Sequence, residues 1–166
     1  MAMFDVAVVY LTRTVEVDGG AEQQVLLGRK LTGLGTGRLV GPGGKLEPGE
    51  SPREAAVREV AEEIGVTVEP RDLVAIGEIA YPFVDDPRWS QFSYAFRCDR
   101  FVGEPRDSDE LAPEWFALDV LPVDRMWADA ALWLPRALGG EFVRATLAFG
   151  AGDRVVGARW GVAERS

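Results

Sequence analysis

Between Gly44 and Val66 the chain reads GKLEPGESPREAAVREVAEEIGV, which places Glu50, Glu59, Glu62 and Glu63 around one short segment together with Arg58. Glu59 lies three residues before Glu62 and four before Glu63, spacings that put the carboxylates on neighbouring rows of one helix face. Arg58 stands four before Glu62, within reach to hold a carboxylate in place. Unpaired like charges this close destabilise a helix, whereas a hard divalent cation such as Mg²⁺ or Mn²⁺ converts the same oxygens into a binding site. Gly43 and Gly44, just ahead, let backbone carbonyls approach a metal or a phosphate closely. The chemistry these residues suggest is metal-assisted attack on a phosphorylated substrate. An isolated REVAEE stretch would be an ordinary solvated helix face; it is the longer spacing from Gly44 that sets this one apart.

The elements that must carry these groups can be read from the same segment. From Thr32 to Gly49 the chain holds seven glycines and two prolines and reads as loop. Ser51 is placed to cap a helix, with Pro52 at its first position and Glu54 completing a capping box. The helix is expected over 52–64, ending at Gly65, with Ala56, Val57, Val60, Ala61 and Ile64 as its buried stripe. Strands are expected at 4–11, 23–30, 73–83, 90–98, 114–117, 142–149 and 154–160, with turns at 18–21 and 150–153 and a loop at 103–113. A second helix is expected over 123–138, its last turn disturbed by Pro135. No repeat, linker or low-complexity tract interrupts the chain. Strands flanking two helices imply an α+β protein, an α/β/α sandwich with a mixed sheet, in a single domain over 1–166.

Composition narrows the function. The chain has 166 residues, 47% apolar and 10% aromatic, enough for a full core. A net charge of −9 argues against nucleic acid and anionic membranes as partners. Small phosphate compounds remain open, because bound cations invert the local field. Of 18 basic residues only Lys30 and Lys45 are lysines, and both flank the acidic segment. The absence of histidine removes His triads and His metal sites. The one cysteine, Cys98, fits a reducing, cytoplasmic setting as a buried apolar residue. No signal peptide is read at the start, and no apolar run is long enough to span a bilayer.

The whole pattern is G-x5-E-x7-R-E-U-x-E-E-x-G-U, U being aliphatic, with all nine specified positions filled. The chain's own residue frequencies put a chance match at roughly one in a million. The pattern, over 44–66, resembles the box of the Nudix (MutT) hydrolases, which cleave nucleoside diphosphates linked to another moiety with Mg²⁺ or Mn²⁺. That resemblance implies an α/β/α sandwich. It implies Glu59, Glu62 and Glu63 as metal ligands assisted by the Gly44 carbonyl, Arg58 orienting a glutamate, and Glu50 supporting the loop. The attacking water could be deprotonated by a box glutamate or by a carboxylate outside it.

VLLGRK at 25–30, GLGTGRLVGPGGK at 33–45, SDELAPEWF at 108–116 and RMWADAALWLP at 125–135 are similar, in the same order, to the oxidised-purine nucleoside triphosphatases of that family. This narrower resemblance implies a further metal-site or base carboxylate at Glu110 and pocket roles for Lys30, Lys45 and Tyr81. It also implies a purine stacked on Trp127 and read at its edge by Asp129. The chain departs from the group at Val40, where the group has a base-reading asparagine, at Ala130, where it has a second aspartate, and at Leu34, where it has a phenylalanine. Valine can neither donate nor accept a hydrogen bond, so base selectivity is expected to differ more than chemistry does. The expected activity is hydrolysis of (oxidised) purine nucleoside triphosphates, such as 8-oxo-dGTP, to monophosphate and pyrophosphate by a monomer or homodimer. Pro82 offers a weak pointer to ADP-ribose or a nucleotide sugar instead, and a nucleotide-binding domain without catalysis is the remaining alternative.

Overall fold

The computed structural model describes residues 3–165. Its organising element is β1 (Phe4–Val17), a long strand shared by two sheets. Phe4–Leu11 pairs in parallel with β6 (Gln91–Cys98), and Val6–Val8 pairs antiparallel with the short β4 (Gly43–Lys45). Thr12–Val17 instead forms a hairpin with β2 (Gly20–Lys30), which also carries β3 (Leu39–Val40) and β7 (Leu111–Ala117). Beyond β6 the sheet continues through β5 (Val74–Tyr81), β8 (Val143–Gly150) and β9 (Arg154–Trp160), with β5 antiparallel to β6 and parallel to β8. The sheet is therefore mixed.

Successive strand residues point to opposite faces. Ala7, Val9 and Leu11 of β1 pack with Leu26 against α1 (Pro52–Ile64), and Tyr10 packs with Val25 and Leu27 against α2 (Ala130–Leu138). One helix on each face makes the α/β/α sandwich expected from the sequence. Cys98 is buried in the α1-side core, its thiol donating to the Arg100 carbonyl at 3.1 Å. Among the described residues no helix is long and apolar enough to cross a membrane.

Helix α1 has the predicted limits, because both ends are specified locally. The Ser51 hydroxyl accepts from the Glu54 N–H at 3.1 Å and the Glu54 carboxylate accepts from the Ser51 N–H at 3.0 Å, while Gly65 closes the helix in the left-handed region. Its buried stripe is shifted from the expected one: Ala55, Ala56, Val60, Glu63 and Ile64 are buried, whereas Ala61 is exposed and Val57 only half-buried.

The second helix is shorter than the sequence suggests. Val123–Arg125 forms a separate 3₁₀ turn, Met126 is extended, and α2 begins only at Ala130. This break turns Trp127 and Asp129 toward the sheet. The glycine-rich stretch 32–49 is not wholly loop either, since it contributes β3 and β4. The strand expected at 114–117 starts earlier, at Leu111, where it pairs with Lys30.

Candidate active site

Arg58 organises the box. Its Nε and Nη2 donate to the two oxygens of Glu50 at 2.7 and 2.8 Å, a bidentate pair. Its Nη1 donates to Glu59 at 2.9 Å and to Glu62 at 3.2 Å, and Nη2 also reaches the Lys45 carbonyl at 3.0 Å. One guanidinium thus joins the helix to the loop and to β4. The pairing holds the Glu50 carboxyl down at about 2, with the Arg58 hydrogen bond as the main cause.

Glu59 and Glu63 are strained electrostatically. Glu63 is 8% exposed, and burial pushes its carboxyl up to about 7 despite a 2.7 Å hydrogen bond from the Gly43 N–H. Nearby Glu59 and Glu110 push it further in the same direction. Glu59 is raised too, first by burial, with Glu62 and Glu110 adding to the effect and Arg58 opposing it. Glu110 reaches this group because Leu31 donates to its carbonyl at 2.9 Å, fixing the start of β7 beside the end of β2. Gly44 lies directly against Glu59: a Cβ there would sit 2.5 Å from a carboxylate oxygen. Alanine at Gly43 would drive its methyl into the Ala7 carbonyl.

As they stand, no three Asp, Glu or Cys side chains among the described residues are gathered tightly enough to hold a metal ion. Arg58 occupies Glu59 and Glu62, and Gly43 occupies Glu63. The donor set nevertheless fits a hard cation. Glu59 feels the charges of Glu62 and Glu110, and Glu63 those of Glu59 and Glu110, and burial with this mutual repulsion pushes Glu59 and Glu63 toward protonation, a cost that a divalent cation would relieve.

On the α2 side of the sheet, the β4 backbone lines a cavity of about 300 Å³. Every base-pocket residue expected from the sequence lies in its wall: Lys30, Val40, Lys45, Tyr81, Trp127 and Asp129, together with Leu34, Gly44 and Ala130. Asp129 is buried, and one of its oxygens accepts from the Tyr81 hydroxyl at 2.7 Å and from the Trp133 indole N–H at 2.8 Å. Burial raises its carboxyl above the ordinary range, while these two donors oppose the shift. The same burial, with Asp129 nearby, pushes the Tyr81 hydroxyl well up, so Tyr81 stays protonated as a donor. Trp127 meets Phe83 and Phe149 edge-on, at ring separations of 6.1 and 5.3 Å. The sequence did not single out Phe83, Phe149, Met126 or Trp133, since only their shared position across sheet and helix reveals them. Pro82, the pointer to ADP-ribose, sits at the end of β5, where its carbonyl accepts from the Phe149 N–H at 2.8 Å. Its place at the end of a strand explains it as well as a substrate role does.

A family profile described as NUDIX domain matches residues 8–137, which contain the box and most of the cavity wall. The chain belongs to the Nudix family. Among similar Nudix proteins is the "Oxidized purine nucleoside triphosphate hydrolase" of Danio rerio, 44% identical over 115 residues, covering 69% of this chain and 72% of that one. The Mus musculus protein described in the same words is 40% identical over 116 residues, covering 70% and 72%. The solved MutT structure from Bacillus halodurans superposes with a TM-score of 0.76 at 24% identity, over 96% of this chain and 98% of that one, and shows the same fold. The α/β/α arrangement is thus the Nudix one.

Proposed function

We propose that this Nudix protein hydrolyses purine nucleoside triphosphates, oxidised purines among them, to monophosphate and pyrophosphate. One observation carries the reading: the three-residue strand β4 is common to both halves of the site. Gly43 donates to the box carboxylate Glu63, and the same Gly43, Gly44 and Lys45 wall the cavity that contains Trp127 and Asp129. A base held in that cavity therefore presents its phosphate chain to the carboxylates. The similarity to the two animal hydrolases supports the same substrate class.

Glu59, Glu62, Glu63 and Glu110, with the Gly44 carbonyl, are the residues that would hold Mg²⁺ or Mn²⁺. When bound, such an ion supplies charge neutralisation on the phosphate oxygens and an acidified water. The chain's own groups do the rest. Trp127 offers a flat apolar face to the base. Asp129 contributes a buried carboxylate to the wall, with Val40 and Ala130 leaving their positions apolar. Lys30 and Lys45 bring positive charge to the cavity side of the carboxylates. Glu110, whose charge is felt by Glu59 and Glu63, is a candidate to take the proton of the attacking water. A chain acting on small nucleotides in this way suits the cytoplasm, as a monomer or homodimer.

The test is a Mg²⁺-dependent panel of 8-oxo-dGTP, 2-hydroxy-dATP, dGTP, ADP-ribose and a dinucleoside polyphosphate, with product identification. Purine triphosphates are expected to lead, releasing pyrophosphate, and Glu62→Gln is expected to lower the rate by at least about a hundredfold. A strong preference for ADP-ribose would replace this reading, and a fully active Glu62→Gln would remove Glu62 from the metal site.

A further inference from the structure

The ring of Trp127 is covered by a charged side chain. The Arg38 guanidinium lies 4.5 Å from the centre of the indole ring, yet Arg38 is not among the residues that line the cavity. It therefore braces the ring from outside. Arg38 is fixed in turn at its other donors: Nη2 bonds Asp153 at 3.0 Å and Nη1 reaches the Met126 carbonyl at 3.5 Å. Gly35 closes on the same indole, where a Cβ would lie 2.7 Å from Cζ2. The backbone of Arg38 is tied to the pocket lysine, since the Lys30 N–H donates to the Arg38 carbonyl at 2.9 Å. Asp153 adds an independent sign of constraint: it is the one non-glycine residue among those described with positive φ, at 55°.

We propose that Arg38, anchored by Asp153, is a positioning residue for the base platform. It links three segments distant in sequence: the glycine-rich loop, the Met126–Trp127 segment and the β8–β9 turn. By holding Trp127 at a fixed angle, the brace lowers the ordering cost that a mobile ring would charge against substrate binding. The inference rests on the nucleotide pocket proposed above and names the residues that set its affinity. It touches neither the phosphate chain nor the carboxylates.

The experiment compares wild type, Arg38→Met, Arg38→Lys, Asp153→Asn and the Arg38→Met/Asp153→Asn double variant. Readouts are kcat and KM for dGTP and 8-oxo-dGTP, calorimetric binding of dGMP, and Mn²⁺ binding by electron paramagnetic resonance. Arg38→Met is expected to raise KM and the dGMP dissociation constant together by about tenfold, a size within reach of a stacked cation. Its kcat and Mn²⁺ affinity should stay within about twofold of wild type. Arg38→Lys, which keeps a cation but loses the fork, should recover part of the loss. Asp153→Asn should act in the same direction, and the double variant should be no worse than Arg38→Met alone. Unchanged dGMP affinity in Arg38→Met, a fall in kcat without a change in KM, or full additivity of the two substitutions would overturn the brace while leaving the activity intact. A wild-type protein that neither binds nor cleaves nucleotides would instead sink the function reading, and the brace with it.

Discussion

At the scale of single residues, the box is a balance between one guanidinium and several carboxylates. Arg58 satisfies Glu50 completely and shares its remaining donors with Glu59 and Glu62, while Glu63 depends on a backbone amide. Glu63 accordingly carries a pH signature in the metal-free protein. Its folded-state carboxyl, near 7, lies above the ordinary value of 4.5, so between these two values the folded chain holds a proton that the unfolded chain has lost. Its contribution to stability is therefore full below the lower value and declines as pH rises through the interval. Denaturant midpoints for wild type and Glu63→Gln, measured with a chelator present, should converge at acidic pH and separate in favour of the glutamine variant as neutrality is approached. A wild-type-minus-variant difference that does not change with pH would contradict this. That Arg58 could hold a carboxylate of its own helix was legible in the spacing, because Glu62 lies one turn away, whereas Glu50 was pointed out only by the family resemblance. The role of Arg38 was not legible, because its partners Trp127 and Asp153 are 89 and 115 positions away and meet it only in the folded chain.

At the scale of elements, the contrast between the two helices shows what local sequence can and cannot specify. Helix α1 was readable to the residue, since Ser51, Pro52, Glu54 and Gly65 mark its ends by side-chain and backbone chemistry that needs no partner. Removing the hydroxyl in Ser51→Ala should cost about 1 kcal/mol of stability by urea denaturation, with little effect on KM. A loss near zero would mean that packing alone holds the helix start. Helix α2 lacks such marks: Asp129 stands at its N-cap but turns its carboxylate to the Tyr81 hydroxyl and the Trp133 indole rather than to the helix's first backbone amides. Helical periodicity continued upstream through Val123, so the break at Met126 was invisible until the pocket claimed Trp127. Strands β3 and β4 were missed for a related reason. β3 is only Leu39–Val40 and β4 is mostly glycine, which has little strand propensity, so it is long-range pairing with β2 and β1 that makes them strands.

At the scale of the whole molecule, β1 decides how the parts cohere. Its alternate residues enter both cores and its two halves belong to two sheets, so neither side of the sandwich can open without disturbing the other. Unfolding followed at Trp133, in the α2-side core, and at Trp115, packed on the α1 side, should therefore coincide with loss of circular dichroism. Separate midpoints in single-tryptophan variants would show that the two sides unfold independently. The buried Cys98 gives this cooperativity a chemical clock. As the chain's sole thiol, held above its ordinary range by burial and hydrogen-bonded inside the α1-side core, it is shielded from solvent-borne electrophiles while the sandwich is closed. Its labelling by a disulfide reagent should then be governed by how often the core opens, and slowed by any nucleotide that binds only the closed form, so one sulfur atom can report ligand occupancy of a pocket on the opposite face of the sheet.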